Sequence, residues 1–209
     1  MKIVVFGSTG GVRQLVVRRA ASAGHEVTAF LRSPEKLQTR QGVTIVEGDA
    51  FDADAVARAI DGVVAVISCL SSSAPMKPST EVARMTQNIV AGMQRSGVDR
   101  IAYCASAGVD DELTGVIGRS MMLLLRNPLK DHRAAVKHIA DAGLNATIAR
   151  PSGLTDGAFD PDYAEAFTGM PAGMRSIPRA SVADFLVKAI EQPEVYSRSS
   201  VGLALEKKA

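Results

Sequence analysis

Ile3-Val4-Val5-Phe6-Gly7-Ser8-Thr9-Gly10-Gly11-Val12-Arg13 decides the fold. The continuous apolar run Ile3–Phe6 predicts a short strand covered on both faces. Val12, Leu15, Val16 and Ala20 then recur at helical spacing, and Gly24 can end that helix. A glycine turn between a strand and a helix lets the backbone approach a phosphate closely. The amides at the helix start then meet its negative charge. Strand, turn and helix in this order are the opening of a dinucleotide-binding unit.

The rest of the chain continues the alternation. Strands are expected at Glu26–Leu31, Val43–Glu47, Val63–Leu70, Arg100–Cys104, Ala146–Ala149 and Ser200–Leu205. Helices are expected from Asp52 to about Ile60, from Pro78–Glu81 to about Arg95, and from about Pro128 to Ala142. Ser181 and Asp184 fit a capping box for a last helix that ends before Pro193. This pattern predicts an α/β fold, a doubly wound parallel sheet of Rossmann type, in one domain over residues 1–209. The poorly patterned stretches 108–127 and 154–180 are read as small insertions on the substrate side.

Composition sets the outer limits. A net charge of +2 is too small to imply a nucleic-acid or membrane partner. No apolar run reaches the roughly 20 residues of a membrane span, and the N-terminus lacks a signal-peptide pattern. A cytoplasmic protein is expected. Cys69 and Cys104 cannot form a disulfide framework and are read as buried reduced thiols. No cluster at metal-ligand spacing occurs, so no metal is expected.

Ligands on such sheets sit beyond the carboxyl ends of the strands. There the chain has Arg32, with Lys36 four residues on, where a carboxylate would bind the ribose hydroxyls of NAD. Two cations at that place suit a 2′-phosphate, so NADP(H) is the expected cofactor. Asp49, in Gly48-Asp49-Ala50, can accept from an adenine amino group or help Asp52 cap the next helix. Arg13 stands where a third glycine is usual. It either reaches a cofactor phosphate or covers the helix as a surface residue.

Gly7-Ser8-Thr9-Gly10, Leu31-Arg32, Glu47-Gly48-Asp49, Thr86-Gln87-Asn88-Ile89-Val90, Cys104-Ala105-Ser106-Ala107, Asp131-His132, Arg150-Pro151 and the run Ile177–Phe185 carry a resemblance. The chain resembles the atypical short-chain dehydrogenase/reductase group that includes NmrA-like proteins and biliverdin reductase B. The resemblance implies that Gly7, Thr9, Gly10, Gly11, Val12 and Arg13 line the pyrophosphate. It implies Arg32 and Lys36 at the 2′-phosphate, and Asp49 and Ala50 at the adenine. Leu70 and Ser71 would lie by the ribose, and Cys104, Ala105 and Ser106 by the nicotinamide. Pro151, Ser152, Gly153 and Leu154 would close over the nicotinamide.

Many short-chain reductases use a Tyr-x-x-x-Lys pair, and this chain lacks it. His132 is the remaining proton donor, since imidazole titrates near 6.5. Ser106 can bond the carboxamide or the substrate, or merely its own backbone. The expectation is an NADPH-dependent reductase of a small flat acceptor: a flavin, a quinone-like molecule or a tetrapyrrole. A non-catalytic NADP(H) sensor with a protein partner and an epimerase or isomerase are the alternatives. Monomer and homodimer both fit.

Overall fold

The computed structural model describes residues 1–7, 11–39, 41–74 and 76–206. Its elements, in order, are β1 (Lys2–Gly7), α1 (Gly11–Ser22), β2 (Glu26–Leu31), β3 (Val43–Glu47), α2 (Ala53–Ile60), β4 (Ala65–Cys69) and α3 (Glu81–Ser96). They continue with β5 (Arg100–Cys104), α4 (Gly115–Leu124), α5 (Arg126–Asp141), β6 (Asn145–Pro151), β7 (Leu154–Thr155) and β8 (Ala164–Ala166). The last are β9 (Ile177–Pro178), α6 (Arg179–Glu191), α7 (Pro193–Tyr196) and β10 (Ser199–Ala204).

Eight strands form the main sheet in the order β3-β2-β1-β4-β5-β6-β10-β8, all parallel except β8. Ile3, Val4, Val5 and Phe6 are wholly buried, as a strand covered on both faces requires. One face packs under α1 and α6, through Val16, Val17, Val182 and Phe185. The other packs under α2, α3 and α5, through Ile60, Ile89, Met93 and Ile139. Burying each such side chain contributes about 1.5–3 kcal/mol. Strand order reverses between β1 and β4, which opens a crevice at their carboxyl ends.

Two sequence expectations are corrected. Ser181 and Asp184 do not cap the last helix, because α6 starts at Arg179. Ser181 is buried within it and bonds the Asp160 backbone, while Asp184 pairs with Arg19 at 2.7 Å. The stretch 108–127 is not irregular, since α4 occupies most of its second half. Gly115 at φ 72° separates this helix from the preceding loop.

Candidate cofactor site

Carboxyl-end segments of β1 to β4 form a cleft lined by Gly7, Phe30, Leu31, Arg32, Gly48, Asp49, Ala50, Leu70, Ser71 and Met85. Six of the expected cofactor residues meet here: Gly7, Arg32, Asp49, Ala50, Leu70 and Ser71. Lys36 does not line this cleft. It ends a short 3-10 turn, Pro34–Lys36, and is exposed. Ser8, Thr9 and Gly10 lie outside the described residues, so the expected contacts of Thr9 and Gly10 have no geometry.

Local chemistry builds the cleft. A Cβ on Gly48 would stand 2.5 Å from the Phe30 ring, so only glycine lets the chain cross that ring. Asp49 Oδ1 accepts from the Phe51 amide at 3.0 Å, a side-chain turn that aims the loop. Asp52 alone caps α2, accepting from Asp54 and Ala55. Asn88 Nδ2 donates to the carbonyls of Ala50 and Phe51 at 2.9 and 3.1 Å, tying the loop to α3. Across the mouth, Glu81 accepts from Ser72 and Ser73 and fixes the segment after β4. Its bonds with Ser73 hold its carboxyl below the ordinary range, and Arg32 adds to the effect.

Of the two readings of Arg13, burial removes the surface one. It is no surface residue, being 1% exposed, and it folds back beneath the turn. Its Nη1 donates to the Gly7 carbonyl at 3.1 Å, and a Cβ on Gly7 would lie 3.0 Å from its Cδ. Gly7 is thus bare partly to admit this arginine. Burial lowers the pKa of the guanidinium, while the neighbouring Cys69 works against that. Nε and Nη2 are buried without a hydrogen-bond partner. Unpaired buried donors of a cation are costly, and an anion at the head of α1 would satisfy them. On the outer side of the same helix start, Arg179 packs on Gly11, with Cδ 3.0 Å from a Cβ built there. It pairs with Asp156 at 2.7 Å. The sequence reading gave Arg179 no role. The orphaned arginine, the bare glycines and a β2 end without a carboxylate all suit a phosphate-rich dinucleotide.

Hydrogen bonds from Ala105 N to Ala149 O and from Ala107 N to Pro151 O, at 2.8 and 2.9 Å, draw two further segments together. Cys104, Ala105 and Ser106 therefore run beside Ala149, Arg150 and Pro151, while Ser152 N bonds Leu203 O and Gly153 O accepts from Ile177 N, which carries Ser152 to Leu154 over to β10 and β9. Ser106 is half-buried, and its hydroxyl bonds the Ala107 carbonyl. Val12 is at the edge of the core, and Leu154 is exposed. Ser152 Oγ donates to Arg175 O. The thiols of Cys69 and Cys104 are free, and their mutual bond together with burial pushes Cys69 up.

His132 is held by a partner the sequence did not suggest. Its Nδ1 lies 2.7 Å from the hydroxyl of wholly buried Tyr103. Burial pushes the Tyr103 phenol well above its ordinary value, so it keeps its proton. Phenol and Nδ1 share one hydrogen bond, whose donor follows the imidazole tautomer. Burial lowers the His132 pKa against the pull of Asp131, and the ring is neutral near pH 7. Asp131 itself accepts from the amides of Val82 and Ala83, replacing the missing cap of α3. Period-3.6 reading places Asp131 inward, but it cannot show the facing helix end. Arg150 is another buried anchor. It pairs with Asp110 at 3.1 Å and Glu112 at 2.6 Å and pins the loop after Ser106. Arg133 holds the same loop through Gly108 and Val109 carbonyls.

A family model described as NAD(P)H-binding matches residues 7–193. The 3 beta-hydroxysteroid dehydrogenase/Delta 5-->4-isomerase of Mycobacterium tuberculosis is 25% identical over 173 residues, which is 73% of this chain and 47% of that protein. This chain spans about half the length of such curated relatives, or less. A short-chain dehydrogenase/reductase from Veillonella parvula, solved in complex with NADP, superposes with a TM-score of 0.82 at 18% identity, covering 97% of this chain and 94% of that one. ChuY, an anaerobillin reductase from Escherichia coli O157:H7, gives 0.79 at 21% identity, with both chains covered completely. These two likenesses show the fold. With nearly all of its cofactor cleft inside the matched span, this chain belongs to the NAD(P)H-binding family of Rossmann proteins.

Proposed function

We propose that this protein is an NADPH-dependent reductase of a small, flat, largely apolar acceptor such as a flavin, a quinone-like molecule or a tetrapyrrole. One observation carries the reading: Arg32 lines the cleft at the end of β2, with no carboxylate there to favour NAD. Bound NADPH supplies a hydride. The chain's own residues bind and orient it. Arg32 meets the 2′-phosphate, with Lys36 close by in sequence. Arg13 offers its two free donors to the pyrophosphate. Asp49 and Ala50 face the adenine. Ser106 is placed to bond the carboxamide or the acceptor. His132, hydrogen-bonded to Tyr103, takes up a proton from solvent and, as the imidazolium, passes it to the reduced acceptor.

The acceptor is proposed to lie between the segments 108–127 and 154–180 of one domain, where Phe159 and Met174 are exposed. Rings and thioethers of this kind suit flat apolar molecules. The hydroxysteroid relative and the anaerobillin reductase are both named for bulky ring substrates, which supports this choice. A second reading, a non-catalytic NADP(H) sensor, is favoured by the missing Tyr-x-x-x-Lys pair and by the tie of His132 to the wholly buried phenol of Tyr103.

Titration with NADPH and NADH tests the carrying observation. Wild type is expected to prefer NADPH. Arg32→Ala is expected to lose about 10–100-fold in NADPH affinity, from loss of a charge-assisted contact of about 1.5–3 kcal/mol. NADH affinity stays level. Equal losses for both cofactors would remove Arg32 as the phosphate reader.

A further inference from the structure

We propose that α4 seats this protein on an anionic lipid surface, lying in the plane of the headgroups. The helix buries none of its side chains. Val116 and Ile117 are 83% and 82% exposed, and Leu123 and Leu124 are 68% and 60% exposed. At about 100° per residue, these four and Met121 fall on one arc of roughly 160°. Within that arc the polar side chain is Ser120, whose hydroxyl is turned back onto the Val116 carbonyl. A largely apolar face turned outward on a folded protein marks a contact surface.

Charge identifies the occupant. Arg119 lies at one edge of that face, and Arg126 opens α5 immediately beyond the end of α4. Lys130 follows on α5, which begins one residue after α4 ends. From Leu113 to Lys130 there is no carboxylate. The acids just before it are already spent: Asp110 and Glu112 on Arg150, and Asp111 on Arg133. A further cation, Lys77, adjoins the patch, because Asn127 Nδ2 bonds the carbonyl of exposed Met76 at 2.9 Å. A second copy of this chain fits poorly, since a two-fold contact along α4 sets arginines against their own symmetry mates. An anionic bilayer accepts both features, with the apolar arc at the acyl boundary and the cations among the headgroups.

Ten residues are too short to span a bilayer, and no described helix is long and apolar enough to cross one. The contact is thus interfacial. It places the loop after β5, which carries Ser106, next to the membrane, so an acceptor dissolved in the bilayer has a short path to the cleft.

Vesicle co-sedimentation of the full chain tests this, using phosphatidylcholine alone and with roughly one-third phosphatidylglycerol. Binding is expected to be on the order of tenfold stronger to the anionic vesicles and to weaken with salt. Ile117→Asp/Leu123→Asp and, separately, Arg119→Glu/Arg126→Glu are each expected to reduce it by about tenfold or more. Thermal midpoint and NADPH affinity stay at wild-type levels, because these side chains pack against nothing. Absence of binding to either vesicle, or binding unchanged in both variants, would overturn the proposal. So would a concentration-dependent dimer that Ile117→Asp dissolves, since a second copy would then own the surface.

Discussion

The two ends of the groove are built to different standards. At the adenine end, each turn is fixed by a specific contact: Gly48 against Phe30, Asn88 on two carbonyls, Glu81 on two serines. At the end proposed for the acceptor, β7 and β9 are two residues long, β8 is three, and Phe159 and Met174 are about half exposed. The first end is preorganised and loses little entropy on binding. The second has apolar surface in excess of what it packs, and a bound molecule has to complete it. On the proposed function, cofactor choice rests on the tightly fixed turns and acceptor choice on the loosely packed segments.

The largest expected effect probes a buried anchor of the loop after β5. Arg150→Met leaves the nearly buried Glu112 carboxylate without its cation. A loss of about 3–5 kcal/mol in urea unfolding is expected, and a loss below about 1 kcal/mol would show that this loop is not held as described. At the adenine end, Gly48→Val drives a side chain into the Phe30 ring. Overpacking of this kind costs about 1–3 kcal/mol, and NADPH affinity is expected to fall with it. Unchanged NADPH affinity would mean the cleft lies elsewhere.

Acid sharpens the comparison further. The folded pKa of His132 is held below its unfolded value by burial. The unfolded chain therefore takes up that proton first, and stability falls as pH drops below about 6.5. Glu112 has a lowered pKa too: its desolvation is outweighed by Arg150 and by backbone amides. Its contribution is present above about pH 4.3 and is lost as pH falls further. His132→Gln is expected to flatten only the upper window, as read by thermal midpoints against pH. A curve in the His132→Gln variant identical to wild type would contradict the buried neutral imidazole. The smallest effect is expected at Phe159, about half exposed. Phe159→Ser shifts stability by no more than about 0.5 kcal/mol, yet raises KM for an apolar acceptor. A large stability loss would make it a core residue.

How much was legible follows from which contacts are local. The strand runs and the helix start at Asp52 were readable because periodicity and local capping are short-range properties, whereas the cap of α3 comes from Asp131 across the fold. Arg32, Asp49 and Leu70 were readable because doubly wound sheets expose the residues just after each strand. Contacts made across the fold were not. Neither the return of Arg13 beneath Gly7 nor the pairing of His132 with Tyr103 leaves a spacing signal. Ser181 and Asp184 imitated a capping box, although tertiary partners had claimed both side chains. The helix in 108–127 escaped because its apolar residues pack on nothing, so no polar face marks its period.

Steady-state oxidation of NADPH with FMN, riboflavin and a small quinone, beside NADH as control, tests the central claim most directly. The account predicts turnover with at least one of these acceptors and a clear preference for NADPH. NADPH binding without turnover of any acceptor would contradict the reductase and leave an NADP(H) sensor in its place.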